Sequence, residues 1–116
     1  MKRQFAERQG RVGEARAALW LQMQGWRILD RRRKTPVGEI DLICRRRNVV
    51  AFVEVKWRKA AAELDHAIDE YRLGRVAAAV ESVAHEYADG GEDIRIDVLL
   101  LAPGSFPRHI VNAWQP

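Results

Sequence analysis

Two apolar segments separated by only two residues dominate the middle of the chain: 38–46 reads GEIDLICRR and 49–57 reads VVAFVEVKW. Segments of this length that are rich in Val, Ile and Phe are typical of β-strands, and their short separation predicts a hairpin. Three charged residues interrupt them, Asp41 in the first and Glu54 and Lys56 in the second. Any fold of this chain must therefore place two carboxylates and an ammonium beside its core.

The register of this hairpin decides how close the two carboxylates lie. A turn at 47–48 would place Asp41 opposite Glu54, whereas a turn at 46–47 would place it opposite Phe52 and diagonal to Glu54. Because side chains alternate along a strand, both registers put the carboxylates on the same face of the sheet. Their Cβ atoms would be about 5 Å apart if opposed and roughly 7 Å apart if diagonal.

Two carboxylates at that distance repel each other, and burial strengthens the repulsion. Glu54 and Lys56 are two residues apart and share a face, so Lys56 and nearby arginines could neutralise the pair as a structural ion pair. A divalent cation would neutralise it equally well, since Mg²⁺ prefers carboxylate and water oxygens. Lys56 would then lie near a phosphate or an attacking water, where a cation stabilises developing charge. An ion pair at a strand end and a catalytic metal site both fit this pattern.

The rest of the chain predicts an α/β domain. Helices are expected at 3–24 and 65–87, and strands at 26–34, 94–102 and 109–114 in addition to the hairpin. The first helix shows these apolar residues near one face: Phe5, Val12, Ala15, Leu19 and Met23. The stripe of the second helix contains Ile68, Tyr71, Ala79, Val83 and Tyr87. The order α-β-β-β-α-β-β within residues 1–116 predicts a single domain with a mixed central sheet flanked by helices.

The net charge of +4 is unevenly distributed along the chain. Residues 1–34 carry a net charge of +7, residues 35–59 carry +3, and residues 60–116 carry −6. Basic runs stand at 31–34 (RRRK) and 45–47 (RRR). A basic N-terminal half favours a polyanionic partner such as nucleic acid, although a solvated basic face would give the same pattern.

Several other site classes are excluded or disfavoured. The single cysteine, Cys44, cannot form an internal disulfide, and its apolar surroundings predict a small buried residue. His66, His85 and His109 lack the spacing of a zinc site. The charged N-terminus does not resemble a signal peptide, and no apolar stretch is long enough to span a membrane. We therefore expect a cytoplasmic protein that does not associate with membranes.

The segments GEIDLI and FVEVK together resemble the PD-(D/E)xK superfamily of metal-dependent nucleases, which includes restriction endonucleases and archaeal Holliday-junction resolvases. More closely, the chain resembles the YraN-like family of small bacterial proteins, to which endonuclease activity is attributed from fold and motif. The resemblance covers nearly the whole chain, through GRVGEARAALWLQMQGWRILDRR, VGEIDLICRRRNVVAFVEVKWR, AIDEYRLGRVAAAV, IRIDVLLL and HIVNAW. It implies a restriction-endonuclease-like fold and an endonuclease that hydrolyses DNA phosphodiester bonds, on branched or repair intermediates, with Mg²⁺ or Mn²⁺.

The resemblance also implies roles for individual residues. Asp41 and Glu54 would be metal ligands together with the carbonyl of Val55, and Lys56 would be the catalytic lysine. Glu14 matches an acidic position that helps to order the metal site in related resolvases. A carboxylate on the surface of a helix would look the same in the sequence.

Further residues are expected around the metal ligands. Glu39 would lie next to them, and Arg72 and Arg75 would contact phosphates unless they belong to a solvated helix face. The basic residues predicted to bind nucleic acid are Arg31, Arg32, Arg33, Lys34, Arg58, Arg72 and Arg75. A homodimer is expected by analogy with resolvases, which cut two strands. Two alternatives to a nuclease are a non-catalytic nucleic-acid-binding module with the same fold and a structural or partner-binding protein whose charges form ion pairs.

Overall fold

Five β-strands form one sheet in chain order, and a helix packs on each of its faces. The computed structural model describes residues 2–59 and 70–114. Its elements are α1 (Lys2–Met23), β1 (Arg27–Thr35), β2 (Gly38–Arg46), β3 (Val49–Trp57), α2 (Glu70–Tyr87), β4 (Asp93–Leu101) and β5 (Arg108–Ile110). Neighbouring strands are antiparallel except β3 and β4, which run parallel, so the sheet is mixed. The predicted α/β class and the order of the elements are confirmed.

The β2–β3 hairpin adopts the first of the two registers considered. Arg46 pairs with Val49, which leaves Arg47 and Asn48 as the turn. Arg47 has a φ of 57°, in the left-handed region, as one turn position of a two-residue hairpin requires. This register brings Asp41 level with Glu54.

The sheet separates two hydrophobic clusters, one under each helix. Phe52 packs with Leu73 in the cluster under α2, and Val53 packs with Leu21 in the cluster under α1. The centre of β3 is thus buried on both faces, which explains its continuous apolar run. Cys44 lies in the cluster under α1, which confirms it as a buried residue, and burial raises the pKa of its thiol to about 12.

The apolar face predicted for α1 is wrong wherever its side chains are described. Val12, Leu19 and Met23 are 46%, 59% and 73% exposed, and Ala15 is exposed as well. The side chain of Phe5 lies outside the described part. Among its described residues, Gly13, Ala17, Ala18 and Leu21 are buried. These positions recur every three or four residues, so a stripe of mostly small residues packs against the sheet and the predicted apolar residues lie on other faces.

The apolar stripe predicted for the second helix is confirmed for those of its residues whose side chains are described. Ala79 and Val83 of α2 are buried and Tyr87 packs against the core, as expected. Residues 60–69, with Ile68, and the side chain of Tyr71 lie outside the described part. None of the described helices is long and apolar enough to cross a membrane.

The last strand is shorter than predicted. β5 ends at Ile110 rather than continuing to residue 114. The chain turns at Asn112, which has a φ of 55°. The Asn112 N–H donates to Oδ1 of Asp97, and the Ala113 N–H donates to the Ile96 carbonyl. These two amides therefore do not continue the regular β4–β5 pairing.

Candidate active site

Strands β2 and β3 separate at Asp41. Their backbone pairing ends at Leu42 and Val53, so Asp41 and Glu54 are the first residues beyond it. The Val55 N–H donates to Oδ2 of Asp41 at 2.8 Å. The carboxylate of Asp41 therefore takes the place of a backbone acceptor at the point where the hairpin opens.

Asp41 lies among carboxylates from two elements. One carboxylate oxygen from each of Glu14, Glu39 and Asp41 lies within 4.8 Å of the others. Glu14 reaches the group from α1, and its carboxylate also pairs with the guanidinium of Arg32. Arg32 is opposite Asp41 on β1 and has a φ of 52°. The structure thus places the carboxylates of Glu14 and Glu39 close to Asp41. Both residues were expected near the site from the sequence.

Glu54 lies beside this group and is held by cations. Lys56 Nζ is 2.9 Å from Glu54 Oε1, and Arg72 Nη2 is 3.5 Å from the same oxygen. The side chains of Glu54 and Lys56 are only 6% and 9% exposed. The prediction that Glu54 and Lys56 share a face is confirmed, and the ion pair required by the structural interpretation is present.

Two cavities open onto these carboxylates. One, of about 450 Å³, is lined by Gly38, Glu39, Asp41, Glu54, Arg72, Arg75 and Val76. The other, of about 230 Å³, is lined by Gly13, Glu14, Asp41, Glu54, Val55, Lys56, Trp57, Arg58 and Arg72. Asp41, Glu54 and Arg72 belong to both, so an incoming group could reach the carboxylates from the α2 side or from the α1 side.

The surroundings of Asp41 favour its protonated form. Burial, and then the negative charges of Glu54 and Glu14, raise the pKa of Asp41 to about 7. The hydrogen bond from the Val55 N–H and the charge of Lys56 lower the pKa of the same carboxyl by less. A positive charge placed close to Asp41 would lower this pKa and favour the ionised carboxylate.

The donor set fits a divalent cation of the Mg²⁺ type. Carboxylate oxygens are the ligands that Mg²⁺ prefers, and one or two of them with several waters usually suffice. Among the described residues, no cationic side chain lies within 4 Å of the Asp41 carboxylate, whereas Glu14 has one and Glu54 has two. A cation bound at Asp41 would therefore supply the neighbouring positive charge that this carboxylate lacks.

Residues 13–101, which contain all four carboxylates and Lys56, match the profile of a known protein family. The chain belongs to the uncharacterised protein family UPF0102. The match spans the sheet from β1 to β4, the second half of α1 and all of α2.

Individual relatives cover the whole chain. A UPF0102 protein of Erythrobacter litoralis is 74% identical over 116 residues, all of both chains. A UPF0102 protein of Sphingopyxis alaskensis is 59% identical over the same length, again all of both chains. A UPF0102 protein of Rhizorhabdus wittichii is 56% identical over 113 residues, which are 97% of this chain and 96% of the relative.

The basic residues predicted to bind nucleic acid have different environments. Arg72 and Arg75 line the cavity on the α2 side, and Arg58 lines the other one. Arg31 and Lys34 are exposed on β1. Arg32 pairs with Glu14, and Arg33 makes two hydrogen bonds of 2.9 Å to Glu86. Part of the positive charge of β1 is therefore neutralised within the protein.

The sequence interpretation missed a second buried carboxylate, Asp97 of β4. It is completely buried and accepts two hydrogen bonds of 2.9 Å from Arg95. His109 Nε2 lies 2.7 Å from Asp97 Oδ2. The available signal was an aspartate inside the apolar strand IRIDVLLL, the same kind of signal that identified Asp41.

Proposed function

We propose that this protein is a metal-dependent nuclease that hydrolyses phosphodiester bonds of DNA, on branched or repair intermediates. The observation that carries the proposal is the Asp41 carboxylate. It sits at an opening in the sheet, close to carboxylates from α1, β2 and β3, without a cationic side chain of its own in the described part. Carboxylates converge in this way at considerable electrostatic cost, which a bound cation would offset.

Asp41 and Glu54 would hold the cation with the carbonyl of Val55, and Glu14 and Glu39 are close enough to help. A divalent cation bound there would supply Lewis-acid stabilisation of the charge that develops on a phosphodiester. Mg²⁺ is the expected ion, and Mn²⁺ should substitute for it. Glu54 would exchange part of its contact with Lys56 for contact with the cation.

Lys56 would then be released to act on the substrate. Its Nζ is already oriented towards the site by Glu54 at 2.9 Å, and the pair lies in a mostly buried environment. Electrostatic donors are stronger in such an environment than in water. Arg72 and Arg75, at the rim of the cavity on the α2 side, would contact flanking phosphates.

The assignment of the restriction-endonuclease-like fold is part of the same proposal. A hairpin that opens at its acidic residue, followed by a parallel strand, is compatible with the restriction-endonuclease-like fold implied by the resemblance to PD-(D/E)xK nucleases. A homodimer would let two such sites act on two strands.

The test is a cleavage assay with single-stranded, linear, flapped and four-way DNA, in the presence of Mg²⁺ or Mn²⁺. We expect cleavage by the wild type, and none by Asp41→Asn purified in the same way. Asp93→Asn, which changes an exposed aspartate at the start of β4, is the matched control and should cleave normally. Cleavage that persists in Asp41→Asn, or that requires no divalent cation, would refute the proposal.

One observation favours the second candidate, a non-catalytic nucleic-acid-binding module. Glu54 is already neutralised by Lys56 and Arg72, so this part of the site needs no cation to be stable. Such a module would bind DNA with the same affinity in wild type and Asp41→Asn, and would cleave none of the substrates. A protein that neither binds nor cleaves nucleic acid would instead fit the partner-binding alternative.

A further inference from the structure

Another concave surface lies beside the β2–β3 turn, away from the carboxylates. This groove, of about 670 Å³, is lined by Gln24, Gly25, Trp26, Arg46, Arg47, Val49 and Arg95. Three of these residues are arginines, and none of the described lining residues is acidic. We call it the arginine groove.

Arg46 is held in a defined orientation in the groove. Its guanidinium lies 4.5 Å from the ring centroid of Trp26, in cation–π contact, and its Nη1 donates to the Gln24 carbonyl at 3.0 Å. Trp26 is itself buried, so the ring is a rigid support. A guanidinium restrained on an aromatic ring loses little conformational freedom when it binds an anion.

Arg95 is oriented in a comparable way. Its Nε and Nη2 donate to the two carboxylate oxygens of Asp97, and its guanidinium lies 5.4 Å from the Trp26 ring. Arg95 and Arg46 thus both contact Trp26. The carboxylate of Asp97 that neutralises Arg95 lies in the interior and does not line the groove.

Arg47 completes the groove from the β2–β3 turn. Its backbone is fixed by the turn and by a hydrogen bond of 3.1 Å from Arg45 Nε to the Arg47 carbonyl. Its side chain makes no ion pair within the described part of the chain. The groove therefore combines two oriented guanidinium groups with a third one that can move onto a ligand.

We propose that the arginine groove binds a phosphate group of a nucleic-acid strand that also reaches the carboxylate site. The inference rests on the proposed function for the identity of the strand. Arginine forks match the geometry of phosphate oxygens. The groove volume lies within the range of ordinary ligand sites, so it could also accommodate the adjoining sugar and base.

The spacing of the two sites suits one continuous strand. Glu14 and Gln24 mark the two ends of the path along α1, and ten helical residues span about 15 Å. On β3, the five residue steps from Val49 to Glu54 span roughly 17 Å. Successive phosphates of one DNA strand are about 3.4 Å apart along the duplex axis, so a strand would cover the distance with about five nucleotides.

The test measures the affinity of a 20-nucleotide duplex and of the corresponding single strand as a function of salt, without divalent cations and in the Asp41→Asn background. We expect Arg47→Ala to lower the affinity by about tenfold at low salt. It should also reduce the slope of log K against log salt by about 0.9 for the duplex, the value for one phosphate contact.

Two variants separate the groove from net charge. Arg27→Ala removes an equal charge from an exposed residue of β1 that does not line the groove, so affinity should change by less than about twofold. Arg46→Lys keeps the charge but loses the planar stacking on Trp26, so affinity should fall. Equal losses in Arg47→Ala and Arg27→Ala, or an unchanged affinity in Arg46→Lys, would overturn the proposal.

Inorganic phosphate distinguishes a failure of the groove from a failure of the nuclease. In one outcome, phosphate raises the melting temperature of the wild type but not of Arg47→Ala, while neither protein binds DNA or RNA. That result would support phosphate binding in the groove and reject both nucleic-acid binding and the nuclease proposal. Cleavage of DNA with no effect of Arg47→Ala on affinity would keep the nuclease and reject the groove. Absence of both phosphate and nucleic-acid binding would reject the groove outright.

Discussion

The backbone N–H of Val55 donates a 2.8 Å hydrogen bond to Oδ2 of Asp41, at the position where the β2–β3 backbone pairing has ended. This contact holds a carboxylate at an opening of the sheet, near Glu14, Glu39 and Glu54. The bond alone does not compensate for burial and for the neighbouring charges, because the pKa of Asp41 still lies at about 7. We therefore expect the site to respond to both protons and cations.

The stability of the metal-free protein should fall as pH rises from the usual carboxyl pKa of 3.8 to about 7, and level off above that. Because the pKa of Asp41 in the folded protein lies above the usual value of 3.8, protonated Asp41 favours folding, and this contribution is lost on ionisation. Asp41→Asn should remove that pH dependence and be more stable than the wild type at pH 8, by on the order of 3–4 kcal/mol. Urea unfolding in EDTA between pH 5 and pH 8 measures the effect. Parallel pH profiles for the two proteins would contradict it.

Divalent cations should stabilise the wild type. A cation that binds only the folded state at 100 times its Kd adds about 2.7 kcal/mol. Since its ligands must be deprotonated, the rise in melting temperature should be larger at pH 8 than at pH 6. Asp41→Asn is the control and should show little or no rise with Mg²⁺ or Mn²⁺. An equal rise in both proteins would place the bound ion elsewhere.

Lys56→Ala should separate binding from chemistry. If Lys56 acts on the reacting phosphate, its loss should reduce the cleavage rate by on the order of 10²–10³. DNA affinity should change less, because one phosphate contact among many is a minor share of binding. A variant that melts much lower than the wild type, but cleaves at the wild-type rate while folded, would show that Lys56 only neutralises Glu54.

The stability effect of Lys56 has its own control. Removing one partner of a buried ion pair typically costs about 3–5 kcal/mol, although Arg72 remains near Glu54 and should reduce this loss. The double variant Glu54→Gln/Lys56→Met leaves no unpaired carboxylate and should recover much of the loss. The free energies of unfolding of the wild type, Glu54→Gln, Lys56→Met and the double variant give the coupling energy.

Asp97→Asn should destabilise the protein strongly without affecting the carboxylate site directly. Burial raises the pKa of Asp97, but hydrogen bonds from His109, Arg95 and the Asn112 N–H outweigh it, so the pKa lies below its usual value. The ionised carboxylate therefore stabilises the fold above the unfolded-state pKa, and this contribution is lost as pH falls through the folded-state pKa. We expect a loss of about 3–5 kcal/mol at pH 7. Asp93→Asn, at an exposed position, should change stability by less than about 0.5 kcal/mol.

Local patterns in the sequence determined the hairpin and the residues of β3 that face each side. The bounds of β2 and β3 agree with the prediction, and Glu54 and Lys56 share a face as alternation requires. These features were predictable because strand periodicity and turn length depend on neighbouring residues only. The register was left open, since neither candidate turn sequence has a strong conformational preference.

Tertiary structure alone decided which side chains meet. The approach of Glu14 to Asp41 depends on how α1 packs against the sheet, and the buried stripe of that helix differs from the predicted one. Glu39, by contrast, lies two residues before Asp41 on β2 and was expected on the same face. The pairing of Asp97 with His109 could not be predicted from the sequence, because His109 is twelve residues away along the chain and on another strand. Sequence periodicity reports which faces of an element are apolar. Charge partners and close helix packing depend on contacts between distant segments, which only the folded chain brings together.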